Sequence, residues 1–181
     1  GWLGALAVRA NDGADRPVDE LLLPAGPLRA VLYDDAPFGT VDADVVDAYG
    51  ETALRRLGAG WGFTLLRDHL PTAPDHDLDG EAQWWDGLEQ PPETLVAVRD
   101  LDLVDPQHWP AALELLAGDP GTAAALADRD GYTAWWLRRH AELDGIPLRH
   151  HRAPDDPTWR TLFPPLDHPA AAVLAPLLAG A

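Results

Sequence analysis

The sequence predicts an α+β protein: an N-terminal part in which short strands and helices form a small mixed sheet, then a C-terminal part that is helical. Three observations lead there. Before Asp105, short apolar runs such as "TLLRD" and "TLVAV" are bounded by Gly, Pro and Asp, the pattern of strands between turns. From Asp105 onward the apolar spacing becomes helical, and Asp-Pro pairs supply helix starts. The chain has 181 residues, 46% of them hydrophobic, enough to bury a sizeable core without disulfide or metal.

Taken in order, "WLGALAVRANDGADRPVDELLLPAG" reads as two strands around an Asn11-Asp12-Gly13 turn. The apolar run from Val18 to Leu23 is stopped by Pro24. "PLRAVL" (27–32) suits one or two helical turns, with Pro27 at a permitted first position. Residues 42–58 predict one helix, because Val45, Val46, Tyr49, Ala53, Leu54 and Leu57 recur at helical spacing and Gly58 ends it. "WGFTLLRD" (61–68) predicts a strand. Gly58, Gly60 and Gly62 follow a helix and open a strand, the reverse of a phosphate-binding loop, so they predict a helix C-cap and turn. Pro71 and Pro74 then break the chain. "TLVAVRDLDLV" (94–104) predicts a second strand. One helix ends at Gly118, and the next is capped by Asp119 with Pro120 at its first position. "DRDGYTAWWLRRHAEL" predicts a third, reaching Leu143, with Asp128 and Asp130 at its positive end and Arg138, Arg139 and His140 at its negative end. Five prolines from Pro147 to Pro165 predict an irregular tail, and residues 169–179 a last helix. The change near Asp105 separates a strand-bearing subregion, 1–104, from a helical one, 105–181, packed on it as one continuous domain. The opening lacks Met and any signal-peptide pattern, and reads as a cut from a longer protein.

Composition excludes several chemistries. Thirty acidic residues against thirteen basic ones give a net charge of −17, which repels nucleic acid and anionic membrane surfaces. With no Cys there is no thiolate nucleophile or thiolate zinc site. With no Ser there is no Ser-His-Asp triad. With no Lys there is neither a Schiff base nor a Walker A loop; all the basic residues are Arg.

"DHDLDGEAQWWD" (75–86) has the D-x-D-x-D-G spacing of a calcium loop. Its ligands would be Asp75, Asp77, Asp79 and Asp86, with Gly80 at the turn. Asp86 is one methylene shorter than the usual closing Glu, and the prolines of "HLPTAP" argue against an incoming helix. The competing expectation is an acidic helix start, with Asp79 as N-cap, Glu81 in the first turn, and Trp84, Trp85 and Leu88 forming the buried side. Two tryptophan pairs, Trp84-Trp85 and Trp135-Trp136, could form a sugar platform. Yet Tyr132, Trp136, His140 and Leu143 share one helical face, the pattern of a core stripe. His69 and His76-Asp77 faintly suggest an Asp/His metal hydrolase, which the neighbouring prolines oppose. His150-His151, beside Arg149 and Arg152, reads as a solvated surface pair.

Several segments together, "LLLPAGPLRAVL", "DAPFGTVDADVVDAYGETALRRLGAGWGFTLLRD", "DLDGEAQWWD", "VRDLDLVDPQHWPAALELLA" and "DRDGYTAWWLRRHA", carry a likeness over roughly residues 20 to 180. They resemble the region downstream of the ATPase in large bacterial sacsin N-terminal ATPase-like proteins, relatives of heat-shock protein 90 and the other GHKL ATPases. Such proteins bind ATP and Mg²⁺ in an N-terminal domain, through a helix Asn, a D-x-G-x-G motif and further glycine-rich segments. None of these occurs here, and the only Asn is Asn11. The resemblance therefore implies a non-catalytic accessory or interaction domain of a cytoplasmic, ATP-dependent, chaperone-like protein. It implies no catalytic or cofactor-binding residue in this chain, with other domains of the same chain and client proteins as partners. Two alternatives stand beside it: a free-standing calcium- or carbohydrate-binding module, and the Asp/His metal hydrolase.

Overall fold

The computed structural model describes residues 6–70 and 72–180. Residues 2–5 of the first expected strand and the break at Pro71 lie outside them. The chain forms two compact units, Gly1–Phe63 and Thr64–Ala181. The α+β class is as expected, built from helices and separate two-stranded ladders.

In the first unit β1 (Ala7–Arg9) and β2 (Asp15–Pro17) pair antiparallel around the Asn11-Asp12-Gly13 turn. The Asp12 carboxylate accepts from Ala14 N–H at 3.0 Å and pairs with Arg16. β3 (Leu21–Leu22) runs parallel to β4 (Gly39–Thr40). Isolated bridges Ala10↔Val41 and Leu22↔Gly60 tie further backbone to these ladders. Residues 27–31 are hydrogen-bonded turns, with Val31 N–H donating to the Leu28 carbonyl.

The single helix expected over 42–58 is two: α1 (Ala43–Tyr49) and α2 (Glu51–Leu57). Gly50 divides them at φ 79 and ψ 144, a backbone conformation that only glycine adopts cheaply. The expected apolar face is correspondingly broken: Leu54 is fully buried, whereas Tyr49 is 66% exposed. Gly58, at φ 114, ends α2 with its N–H on the Arg55 and Leu54 carbonyls, the expected C-cap. Leu54, Val18, Leu21, Leu23 and Val41 form the core of this unit, and the Arg55 guanidinium lies 4.6 Å over the Trp61 ring.

In the second unit β5 (Leu65–His69) pairs antiparallel with β6 (Thr94–Val98), and α3 (Glu81–Asp86) lies between them in sequence. Two 3₁₀ turns lead to α4 (Trp109–Gly118), α5 (Pro120–Ala127) and α6 (Tyr132–His140). The Asp119 carboxylate caps α5, accepting from Gly121 and Thr122 N–H, as the Asp-Pro pair predicts. The compact units thus divide at Phe63/Thr64, and the change in patterning near Asp105 falls inside the second. The reason is burial: Leu95, Ala97 and Val98 of β6 are at most 1% exposed and pack with α5 and α6.

α6 stops at His140, short of the expected Leu143. Asp144 (φ 53) and Gly145 (φ 75) make a two-residue turn that pairs β7 (Glu142–Leu143) with β8 (Ile146–Pro147). The last helix, α7 (Ala171–Leu174), tightens into a 3₁₀ turn at Ala175–Leu177, because Pro176 offers no N–H. His150 is exposed and stacks on Phe163 at 5.9 Å. His151, expected beside it in solvent, is 6% exposed, with Nε2 3.3 Å from the Ile146 carbonyl. Among the described residues no helix is long and apolar enough to cross a membrane.

Candidate functional site

The acidic segment 75–86 is held against α6. Asp79 does not cap α3; Gly80, at φ 69, holds that position, and no side chain bonds the helix start. Asp79 faces α6 instead. Its carbonyl accepts from Tyr132 Oη–H at 2.7 Å, and its carboxylate Oδ2 accepts from Trp136 Nε1–H at 2.9 Å. A Cβ added at Gly80 would stand 3.0 Å from Trp135 Cη2, so the turn and the indole are fitted closely. From α3, Trp84 Nε1–H donates to the Asp130 carbonyl at 2.9 Å. The Trp84 and Trp136 indoles and the Tyr132 phenol are thus bonded to backbone and carboxylate within the unit.

His76 ties the same segment to β5 and α3. Its backbone N–H donates to Glu81 Oε2 at 2.9 Å; Nδ1 is 2.9 Å from Glu81 Oε1, and Nε2 is 2.9 Å from Asp68 Oδ2. An imidazole flanked by two carboxylates donates to both only as imidazolium. Glu81, then Asp68, accordingly raise the His76 pKa above its ordinary value. Asp68 is held below the usual carboxylate range by His76 and by the His69 N–H. Both ring nitrogens of His76 are engaged, so neither is free for a metal. His69 stands on the exposed side of β5. The sequence offered Asp68, His76 and Glu81 no shared motif, since the pairing depends on the loop folding back from β5 to α3.

Of the candidate calcium ligands, Asp77 (φ 57) and Asp79 line a small cavity of about 90 Å³ with Asp100, Asp102 and Arg99. Asp75 and Asp86 are not part of it. Burial pushes the Asp100 carboxyl up, opposed by Arg99. Among the described residues no three His, Asp or Glu side chains are arranged to hold a metal ion.

Four tryptophans of the second unit are packed inside. Trp84, Trp109, Trp135 and Trp136 are all at most 8% exposed. Trp136 stacks on His140 at 4.6 Å and meets Trp109 at 5.9 Å. The Arg139 guanidinium covers Trp135 at 4.4 Å. Trp85, half-buried, meets Trp84 edge-on at 6.2 Å. The core-stripe expectation is met at Tyr132 and Trp136, whereas His140 is exposed and Leu143 lies beyond the helix; Trp135 is buried under a second layer as well.

Two further features border β6: an open groove of about 360 Å³ along Arg67, Asp68, His69, Thr94 and Val96, and a cleft of about 90 Å³. Trp84, Leu88 and Tyr132 give the cleft apolar walls, Thr94 and Val96 one side, and Asp128 and Asp130 an acidic rim. It is a fraction of the roughly 300–1,000 Å³ of cofactor and small-molecule sites, and has room for one side chain.

Comparison with known proteins finds no matching family model, no matching curated protein and no matching solved structure.

Proposed function

We propose that the chain is a non-catalytic accessory and interaction domain of a larger cytoplasmic, ATP-dependent, chaperone-like protein of the sacsin N-terminal ATPase-like type. One observation carries this reading above the others. The polar groups of His76, Asp79, Glu81, Trp84, Tyr132 and Trp136 are taken up by one another or by backbone carbonyls, in hydrogen bonds that fix segment 75–86 on α6 and on β5. A network so closed builds a rigid surface rather than a reaction centre. The composition supports the same reading: there is no Lys for a phosphate loop and no helix Asn for Mg²⁺. ATP and Mg²⁺ belong, on this reading, to another domain of the parent chain. The charge of −17 favours partners that present basic residues.

The test is excision. Removing these residues from the full-length protein is expected to leave its Mg-ATP hydrolysis in place and to abolish its binding to partner proteins. Loss of ATP hydrolysis with partner binding intact would overturn the proposal.

A further inference from the structure

We infer that the outer edge of β6, with the cleft beside it, takes up an extended peptide as an added strand and seats one of its arginine or lysine side chains between Asp128 and Asp130. The inference rests on the reading of the chain as an interaction domain and specifies where and what it binds.

The register of the β5–β6 ladder shows that the edge is open. Leu70 N–H donates to the Glu93 carbonyl and Arg99 N–H to the Thr64 carbonyl, at the two ends of the ladder. Hydrogen-bonded pairs alternate along an antiparallel ladder. The pairs Asp68↔Leu95 and Leu66↔Ala97 are therefore the bonded ones. The N–H and C=O groups of Thr94, Val96 and Val98 consequently point away from β5. Val98 N–H is taken by Thr133 Oγ1 of α6 at 2.9 Å, which closes that end of the edge. The N–H and C=O groups of Thr94 and Val96 have no partner among the described residues. Val96 is half-buried and Leu95 fully buried, so this edge is held in place from behind.

The opposite edge of the ladder is guarded in the way exposed edges usually are. Arg67, Asp68 and His69 are exposed there, and the Asp68 carboxylate accepts the outward His69 N–H at 2.7 Å. Among the described residues no such guard stands over Thr94 and Val96. The β6 edge opens instead onto the cleft, whose wall and rim are fixed: Trp84 Nε1–H holds the Asp130 carbonyl, and Gly131 N–H holds that of Asp128.

The chemistry of the occupant follows from the lining. An added strand meets the main-chain groups of Thr94 and Val96, which are indifferent to sequence. Selectivity must come from the cleft. Trp84, Leu88 and Tyr132 suit an aliphatic stem, and Asp128 and Asp130, both exposed, suit a cationic head. Among the described residues no basic one lines the cleft; Arg129, between the two acids, is outside it and its carbonyl accepts from Arg138. Glu89 and Glu93 flank the approach in sequence and are exposed.

The probe is acetyl-Thr-Val-Arg-Val-Thr-amide, titrated to millimolar concentration into the full chain and followed by backbone amide NMR. The Thr94 and Val96 amides, and those of 128–131, are expected to shift. The peptide with Glu in place of Arg, and the Arg peptide with alternate amides N-methylated, are each expected to bind at least about tenfold more weakly, as for loss of one charged or main-chain contact. Val96→Pro removes the outward N–H without removing a donor to β5, so it is expected to abolish binding while the fold persists. Should Val96→Pro unfold the chain, the N-methylated peptide makes the same test on the parent protein. Combined Asp128→Asn and Asp130→Asn is expected to weaken the Arg peptide about tenfold and to remove its salt dependence. Equal binding of the Arg and Glu peptides, full binding of the N-methylated peptide, or no shift at Thr94 and Val96 would overturn the inference. If the edge fails while excision still abolishes partner binding, the interaction domain stands and acts through another surface. If excision changes nothing, the functional reading itself fails.

Discussion

Replacing Trp136 by Ala tests how the second unit is held together. The indole is 4% exposed, stacked on His140 and against Trp109, and bonded through Nε1–H to Asp79. Truncating a buried Trp costs about 3–5 kcal/mol. Stranding a buried acceptor would add to this, but Asp79 is exposed and rehydrates, so the lost bond contributes only about 0.5–1.5 kcal/mol. The sum is a large part of the roughly 5–15 kcal/mol that stabilises a typical domain, so Trp136→Ala is expected to be largely unfolded or close to it. Trp136→Phe keeps a ring in place and loses the bond. In a double-mutant cycle with Asp79→Ala it is expected to show a coupling of about 0.5–1.5 kcal/mol. Urea unfolding followed by near-UV circular dichroism is the assay. Six of the eight tryptophans lie after Phe63, so the signal reports chiefly on the second unit. Trp136→Ala within about 0.5 kcal/mol of the parent would refute the packing argument, since that is the range of a neutral surface change. A coupling of zero would refute the bond to Asp79.

Three further outcomes are expected. The raised His76 pKa makes its contribution to stability complete below its unfolded value of about 6.5 and lost as pH rises through the higher folded value. The lowered Asp68 pKa works the other way, contributing above about 3.9 and losing its effect as pH falls through the folded value. The stability advantage of the parent over His76→Gln, read from melts across this range, should therefore shrink on the alkaline side; an advantage that grows with pH would contradict the bridge. Gly80→Ala forces a side chain into a left-handed backbone and towards Trp135, and is expected to cost about 1–2 kcal/mol in urea unfolding; a neutral result would mean that the turn is free to move. Melts in millimolar Ca²⁺ and in EDTA are expected to coincide, whereas a site at 100 times its dissociation constant would add about 2.7 kcal/mol; a shift abolished by Asp77→Ala would restore the calcium loop of Asp75, Asp77, Asp79 and Asp86.

Local signals carried much of the fold. Asp119-Pro120 capped α5, Gly58 ended α2, and the apolar period of α6 put Trp136 in the core, because each depends on residues within a turn or two. Gly50 was hidden by a helical period that runs through it, and the positive φ appears only once the chain turns there. The Asp144-Gly145 turn was readable in principle, but its strands are two residues each and the first fell within the apparent helix. Asp79 had the right type and place for an N-cap; the hydrogen bonds to Tyr132 and Trp136, more than fifty residues away, override that local preference. The same holds for the bridge of Asp68, His76 and Glu81, for the burial of His151, and for the cleft at β6. Each depends on which distant element packs nearby, and one-dimensional spacing does not record it.

The reading of the chain as a module without nucleotide chemistry of its own meets its most direct test in isothermal titration of Mg-ATP into the isolated 181-residue protein. No saturable heat is expected, because the chain has no Lys, no helix Asn and no phosphate loop. Saturable binding at micromolar concentration would contradict that reading and place a nucleotide site within this chain.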